Sequence, residues 1–217
     1  MSSILTSTST SISTSTSTST STSISTSTLT LTLICLLLLL AGCSLGGNEP
    51  EEITYEILVE RALNGGERQD SLFLGYHFGM SRKDFQTSSW EMNQQGLITG
   101  LTKVEYSPDW LPHDVQLLFY PEFDDNAEMY SIPVEAYYKA FAPWNPGHSA
   151  DSLVVDLVDY FEKNYDQEFH RVYLPHRRTE GYMSVDGNRA IEIWKRDDMW
   201  ADFEMIDLTA VAGDSLQ

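Results

Sequence analysis

The only basic cluster of the chain lies between residues 170 and 178, and it is the most direct candidate for chemistry. Its members are His170, Arg171, His176, Arg177 and Arg178. Guanidinium and imidazolium groups donate charge-assisted hydrogen bonds, so a convergent set of them indicates a site for a small anion or a carboxylate. The simpler interpretation is that these side chains are solvated at strand ends and pair with acidic neighbours.

Acidic residues form a second group of candidates. Five oxygen-bearing side chains of the kind that calcium prefers fall within a single loop: Glu122, Asp124, Asp125, Asn126 and Glu128. Their order lacks the glycine and the terminal glutamate of a calcium-binding loop, which favours a solvated loop. Paired carboxylates could hydrolyse glycosides, but among 32 Asp and Glu residues some pairs arise by chance.

Aromatic residues form the third group. A stacking platform for sugar or peptide could draw on Tyr106, Trp110, Tyr137, Tyr138, Trp144 and Trp194. Aromatics in strands are more often core residues. The sequence contains no serine-hydrolase elbow, phosphate-binding loop or zinc-protease motif. We therefore expect no catalytic activity, no metal and no cofactor.

The apolar run Leu29–Leu40 leads directly into the tetrapeptide Leu40-Ala41-Gly42-Cys43. The run is shorter than the ~20 residues of a membrane-spanning helix and has the length of a signal-peptide core. The tetrapeptide resembles the lipobox of bacterial lipoproteins, in which the signal peptide is cleaved before a lipidated cysteine. The resemblance implies a mature chain that begins at Cys43, carries acyl chains such as palmitate and is held at a membrane. An uncleaved anchor helix extending back to about Ile24 is the alternative.

Residues 1–42 differ from most signal peptides because they contain neither Lys nor Arg and include a Ser/Thr tract over residues 6–28. Such a low-complexity tract has little apolar surface to bury and no reason to fold. Ser44, rather than Asp, follows the cysteine. In the better-known sorting systems this resembles cargo of the outer membrane.

The balance of 13 basic against 32 acidic residues, a net charge of −19, argues against a nucleic-acid partner. The two cysteines are Cys35, which a cleaved signal would remove, and Cys43, the predicted lipid site. The sequence thus predicts a chain without disulfides, in which packing of its many aromatic residues provides the stability.

Turn signals and periodicity divide the chain into five parts. We predict a signal peptide with the Ser/Thr tract over 1–42, a flexible tether over 43–52, a first α+β lobe over 53–145, a second over 146–212 and a tail over 213–217. Residues 53–63 fit a strand or a helix.

The clearest elements are two helices and several strands. A helix is expected over 82–95 with Ser81 as its cap, and another after Ser149 to about Asn164. Strands are expected at 104–106, 115–119 and 130–138, and four more after residue 169, with a hairpin at Asp186-Gly187. Pro133 lacks an amide donor, which predicts that strand 130–138 lies at a sheet edge where a partner could add a strand.

This order of elements, helix then strands and then the same again, predicts an α+β fold. Antiparallel sheets would each be packed by a helix, as two helix-plus-sheet lobes in tandem. The turn Gly79-Met80-Ser81 before a helix, followed by strands, is similar to small lipoproteins that help assemble outer-membrane barrels and to a two-repeat β-lactamase inhibitor protein. The part after Cys43 also resembles the many uncharacterised lipoproteins of Gram-negative envelopes.

Together these features predict a lipid-anchored cell-envelope protein, in the outer membrane, that acts as a non-catalytic binding or scaffold module for another envelope protein. One alternative is a carbohydrate- or peptide-binding lipoprotein that uses exposed aromatics. The other is a carboxylate-based hydrolase.

Overall fold

The computed structural model describes residues 53–100 and 102–214. Four helices and nine strands occur there, with two short 3₁₀ turns at Phe73–Gly75 and Pro146–His148. The helices are α1 (Tyr55–Gly65), α2 (Arg82–Gln94), α3 (Ala150–Tyr165) and α4 (Leu208–Asp214). The strands are β1 (Ile98–Thr99), β2 (Val104–Tyr106), β3 (Val115–Phe119), β4 (Glu122–Phe123), β5 (Met129–Tyr138), β6 (His170–Leu174), β7 (Thr179–Asp186), β8 (Arg189–Lys195) and β9 (Trp200–Asp207).

Local sequence explains where the helices begin. Thr54 caps α1 by accepting a hydrogen bond from the Ile57 amide, which settles the ambiguous segment as a helix. Ser81 caps α2 as predicted, accepting from the Asp84 amide at 3.1 Å. The Asp84 carboxylate in turn accepts a hydrogen bond from the Ser81 hydroxyl. Ser149 precedes α3 as predicted, but its side chain does not cap the helix, because its hydroxyl donates to the carbonyl of Pro146.

All strands join one antiparallel sheet in the order β1-β2-β3-β5-β9-β8-β7-β6, with β4 also paired to β5. The four strands predicted after residue 169 are confirmed. The hairpin is confirmed too, since Asp186 pairs with Arg189 around the two-residue turn Gly187-Asn188.

Strand β5 is present where the sequence predicts it, but its expected place at a sheet edge is wrong. It lies at the centre of the sheet and pairs with β3 and β4 on one side and with β9 on the other. On the first side its pairing changes from β3 at Val134 to β4 at Ser131. Pro133 lies in that gap, where a residue without an amide donor is accommodated.

The broad α+β prediction is confirmed, whereas two tandem lobes are not. The β5–β9 pairing joins strands from both predicted lobes into one sheet. Residues from both halves, such as Phe119 and Phe203, also share one cluster of buried side chains. Helix α4 begins at the buried Leu208 and continues to Asp214, so it includes the first two residues of the predicted tail.

The two faces of the sheet are covered differently. On one face, α3 buries Leu153, Leu157 and Phe161 in the main core. On the opposite face, a second cluster that includes Leu58 of α1 and Leu208 of α4 packs on residues of β6 to β9. Strands β8 and β9 are therefore buried on both faces, whereas β3 and β5 alternate between buried and half-buried residues.

The turn at Gly187 gives a stability prediction. Gly187 has φ of +57°, and an added Cβ would collide with the carbonyl oxygen of Glu67. We expect Gly187→Ala to lower the free energy of unfolding by about 1–3 kcal/mol, because a left-handed backbone and a backbone clash both penalise a side chain. Urea unfolding measures the loss. Gly147→Ala is the matched control, since its Cβ meets nothing closer than the Asn145 side chain at 3.6 Å; an equal loss in both variants would contradict this account of the turn.

Candidate functional site

The candidate site lies on the face of the sheet that α1 and α4 cover only in part, and its defining feature is a row of carboxylates. Strand register places Glu192 of β8 opposite Glu204 of β9, and Asp202 of β9 opposite Glu135 of β5. Because successive strand residues point to opposite faces, Asp202 and Glu204 share a face. We call these four residues the carboxylate row. Like charges directly opposite each other destabilise a sheet, so the row needs compensation from elsewhere.

Three of the four carboxylates in the row are buried. Glu192 is 0% exposed, Glu204 5% and Asp202 8%, while Glu135 is half-buried. Buried carboxylates normally find several hydrogen-bond donors. Here one oxygen of each buried member, Glu192 Oε1, Asp202 Oδ1 and Glu204 Oε2, has no hydrogen-bond partner among the described residues. Such atoms are uncommon in folded proteins, and each one needs an explanation.

The turn between β6 and β7 supplies two of the side chains that contact the row. His176 Nε2 lies 2.8 Å from Glu192 Oε2. Arg177 forms an ion pair with Glu204 Oε2, without the alignment of a hydrogen bond, and its guanidinium lies 4.6 Å above the Trp194 ring. The other oxygen of Glu204 accepts a hydrogen bond from the buried Ser131 hydroxyl.

Lys103 and Arg196 contact the other end of the row. Lys103 Nζ lies 2.9 Å from Glu135 Oε1, and Arg196 Nη1 lies 3.2 Å from the same oxygen. Arg196 also approaches Asp202 Oδ1 at 3.4 Å, again without forming a hydrogen bond. Glu135 therefore has two cations within 3.2 Å, whereas the nearest cation to Asp202 is Arg196 at 3.4 Å.

The pKa values of these two carboxyls diverge for that reason. Burial, with help from the charges of Glu135 and Asp197, raises the pKa of Asp202 to about 6, and Arg196 only partly offsets it. Burial also acts on Glu135, but Lys103 and Arg196 outweigh it and lower the pKa of that carboxyl. Two neighbouring carboxyls with pKa values displaced in opposite directions are typical of functional sites, although structural ion-pair networks produce the pattern as well.

A cavity of about 250 Å³ opens beside the carboxylate row. Its lining includes Lys103, Tyr120, Glu135, Arg177, Trp194 and Asp202. Strands β3, β5 and β9 form its floor, and Tyr120 is 38% exposed. A ligand in this cavity would therefore meet acidic, basic and aromatic groups together.

The predicted anion cluster does not form a single group around one space. His176 and Arg177 are directed at Glu192 and Glu204. Arg171 lies 3.7 Å from Glu180 with a largely exposed side chain, and Arg178 is exposed. His170 lines a separate groove of about 530 Å³ beside α1.

The acidic loop closes on itself. Asp124 accepts hydrogen bonds from the backbone amides of Asn126 and Glu128, at 2.9 and 2.8 Å. Glu122 accepts from the Tyr130 hydroxyl and belongs to β4. Asp125 is exposed. Within residues 53–100 and 102–214, no three His, Cys, Asp or Glu side chains are grouped so as to hold a metal ion.

The six candidate aromatics are dispersed rather than assembled into one platform. Trp110 stacks on Tyr160 at 3.7 Å, Tyr137 lies against Trp200, and Tyr138 is buried. Trp144 is 85% exposed, and Tyr106 packs beside the core. Trp194 alone of the six lines the carboxylate cavity.

Sequence reasoning missed the carboxylate row, although it left a signal. Glu192 stands between Ile191 and Ile193, and Asp202 and Glu204 alternate with apolar residues of β9. Such alternation usually describes a strand with one solvated face. Only the packing of α1 and the β6–β7 turn over that face shows that these acids are buried.

The predicted lipid site, Cys43, lies outside the described residues, and no helix within those residues is long and apolar enough to cross a membrane. No protein-family model, curated protein or solved structure matches this chain.

Proposed function

We propose that this chain is a lipid-anchored protein of the cell envelope whose folded part is a non-catalytic binding module. The anchor is Cys43, and the module is the nine-stranded sheet with its helices. Tethering raises the local concentration of the module at one membrane surface, so that even a weak ligand is bound there. Ser44 after the anchor favours the outer membrane.

The anchor is supported by the tetrapeptide Leu40-Ala41-Gly42-Cys43 after an apolar run of signal-peptide length. A single acyl chain gives only reversible membrane binding, because each buried methylene contributes about 0.8 kcal/mol. The several acyl chains of a bacterial lipoprotein would make release slow.

The binding role is supported by one observation above the others, namely the carboxylate row beside its cavity. Asp202 is 8% exposed, lines the cavity and keeps one oxygen without a hydrogen-bond partner among the residues described. A buried carboxylate that has an ion pair but no hydrogen-bond donor costs stability in the unliganded protein. A ligand that donates to the exposed part of this carboxylate would recover some of that loss, which gives the site a physical reason to bind.

A carboxylate-based hydrolase is the second candidate, and the divergent pKa values of Asp202 and Glu135 are the observation that favours it. A proton-bearing Asp202 would act as the general acid and an ionised Glu135 as the nucleophile or base. Release of new reducing ends from a glycan, abolished by Asp202→Asn, would establish this role. Binding of the same glycan without cleavage would establish the binding module.

We expect Cys43→Ala to release the protein from the membrane, because it removes the atom that carries the lipid. Cell fractionation with an alkaline wash measures the membrane-bound share. Cys35→Ala is the matched control, since that cysteine lies within the predicted signal peptide and should leave the distribution unchanged. Retention of Cys43→Ala in the washed membrane would contradict the anchor.

A further inference from the structure

We infer that the cavity beside the carboxylate row is a subsite for one residue of a neutral saccharide, with the Asp202 carboxylate as its central acceptor. This inference deepens the proposed binding role by naming its ligand class. It depends on the module being a binder, and it is independent of how Cys43 is modified.

Charge balance is the first argument for a neutral ligand. Among the residues that line the cavity, Lys103 and Arg177 are basic and Glu135 and Asp202 are acidic, so two cations meet two carboxylates. A charged ligand entering this balanced set would leave an uncompensated charge in a partly buried place. A ligand rich in hydroxyl groups adds no charge, and each hydroxyl both donates and accepts hydrogen bonds.

The placement of donors and acceptors is the second argument. Asp202 Oδ1 accepts no hydrogen bond from the described residues, and only Arg196 approaches it, at 3.4 Å. That oxygen is itself buried, so a sugar hydroxyl in the cavity would donate to the exposed part of the Asp202 carboxylate. Lys103 and Arg177 also line the cavity, and each can donate a hydrogen bond to a neighbouring hydroxyl of the sugar. Adjacent acceptors and donors match the adjacent hydroxyls of a pyranose ring.

The walls of the cavity and its size are the third argument. Tyr120 is 38% exposed and offers a ring for the apolar face of a sugar, whereas Arg177 covers one face of Trp194. The volume of about 250 Å³ is below the ~300–1,000 Å³ of clefts that enclose drug-sized ligands. It suits one sugar residue, with the rest of a glycan outside.

An extended peptide fits this place less well. Peptides that bind sheets usually add a strand to a free edge. The floor strands β3, β5 and β9 each pair with strands on both sides, and the strands with a single neighbour are β1, β6 and the two-residue β4. The cavity therefore offers no free row of backbone donors and acceptors. The larger groove beside α1 differs from this cavity. None of its lining residues has a buried side-chain atom without a hydrogen-bond partner in the described part of the chain.

Isothermal titration calorimetry tests the inference on the full chain, extracted in a detergent whose head group is not a sugar. The probes are glucose, galactose, N-acetylglucosamine and their β-linked oligomers, with trialanine, putrescine and acetate as the other ligand classes. We expect saturable heat from at least one saccharide and from none of the other three. Asp202→Asn should weaken that saccharide at least roughly tenfold, because a charged acceptor becomes a neutral one.

Asp125→Asn is the matched control, because it makes the same chemical change on an exposed loop and should bind like the wild type. Circular dichroism of each variant confirms that it is folded. Saturable binding of trialanine, putrescine or acetate in place of saccharides would overturn the ligand class and leave the binding module standing. No heat from any probe, or equal saccharide affinity in Asp202→Asn and wild type, would overturn the subsite. Neither result bears on the Cys43 anchor, which fractionation measures separately.

Discussion

Replacing Asp202 with Asn is expected to raise the free energy of unfolding by about 2 kcal/mol at pH 7 and to leave it nearly unchanged at pH 4. Burial raises the pKa of this carboxyl from 3.8 to about 6 in the folded protein. Between these two values the folded state binds more protons than the unfolded state. The contribution of Asp202 to stability is therefore present below pH 4 and is lost as the pH rises through 6.

Asn keeps the shape of the side chain and carries no charge to desolvate, so it removes that pH-dependent loss. The groups that face Asp202, namely Arg196, Glu135, Asp197 and Arg177, remain in place. Arg196 also keeps Glu135 as a partner at 3.2 Å. Urea unfolding at pH 4, 5, 6 and 7 measures the difference between variant and wild type.

Other carboxyls, such as Glu135 and Asp207, have lowered pKa values, so their contribution to stability is lost as the pH falls. These groups are present in both proteins, so the difference between variant and wild type reports Asp202 alone. Asp125→Asn, on the exposed loop, should show no such pH-dependent difference. An Asp202→Asn variant that is less stable than the wild type at pH 7 would mean that the ionised carboxylate stabilises the fold. Its role would then be structural rather than one in binding.

Replacing Arg177 with Met is expected to lower the free energy of unfolding by about 2 kcal/mol. Glu204, 5% exposed, would keep only the Ser131 hydroxyl as a partner, and the contact of Arg177 with Trp194 would be lost. Breaking a fully buried ion pair costs more than this. The Arg177 side chain is 34% exposed, however, so water can reach part of the gap.

A double-mutant cycle with Glu204→Gln tests the pairing itself. Gln keeps an acceptor for Ser131 and needs no cation, so the double variant Arg177→Met/Glu204→Gln should be more stable than Arg177→Met alone. Arg171→Met is the control, since its side chain is 70% exposed and its contact with Glu180 is 3.7 Å; it should change stability by less than about 0.5 kcal/mol. Strict additivity of the two changes would show that Arg177 and Glu204 are not coupled.

Elements whose signal is local could be predicted from the sequence. The spacing of Leu153, Leu157 and Phe161 gave α3, and Asp186-Gly187 gave the β7–β8 hairpin. Residues 53–63 stayed ambiguous because their apolar residues alternate as well as recur on a helix face. Thr54 resolves this by capping α1.

Features that depend on which strands pair could not be predicted. Pro133 indicated an edge strand because proline has no amide hydrogen to donate to a neighbouring strand. In the structure β5 pairs with β3 up to Val134 and with β4 from Ser131, and Pro133 lies between these two pairings in the centre of the sheet. The join between the two predicted lobes is the β5–β9 pairing, which links residues about 70 positions apart in sequence. The turn residues between neighbouring elements give no information about this long-range pairing.

The carboxylate row is hidden for the same reason. Glu135, Glu192 and Glu204 come from three strands, and only the register of the sheet brings their side chains to one face. His176 and Arg177 were visible as a basic cluster, but their partners were not. A cluster that indicated an anion site thus has two of its five members directed at buried carboxylates of the chain itself.

The proposed function depends on Cys43 more than on any other residue, so the most direct test is the intact mass of the wild-type chain extracted from membranes. We predict a mass that corresponds to residues 43–217 plus acyl chains. A mass without acyl chains that still includes the Leu29–Leu40 run would contradict it. The run would then have to be an uncleaved membrane anchor, and Cys43 would not be the point of attachment.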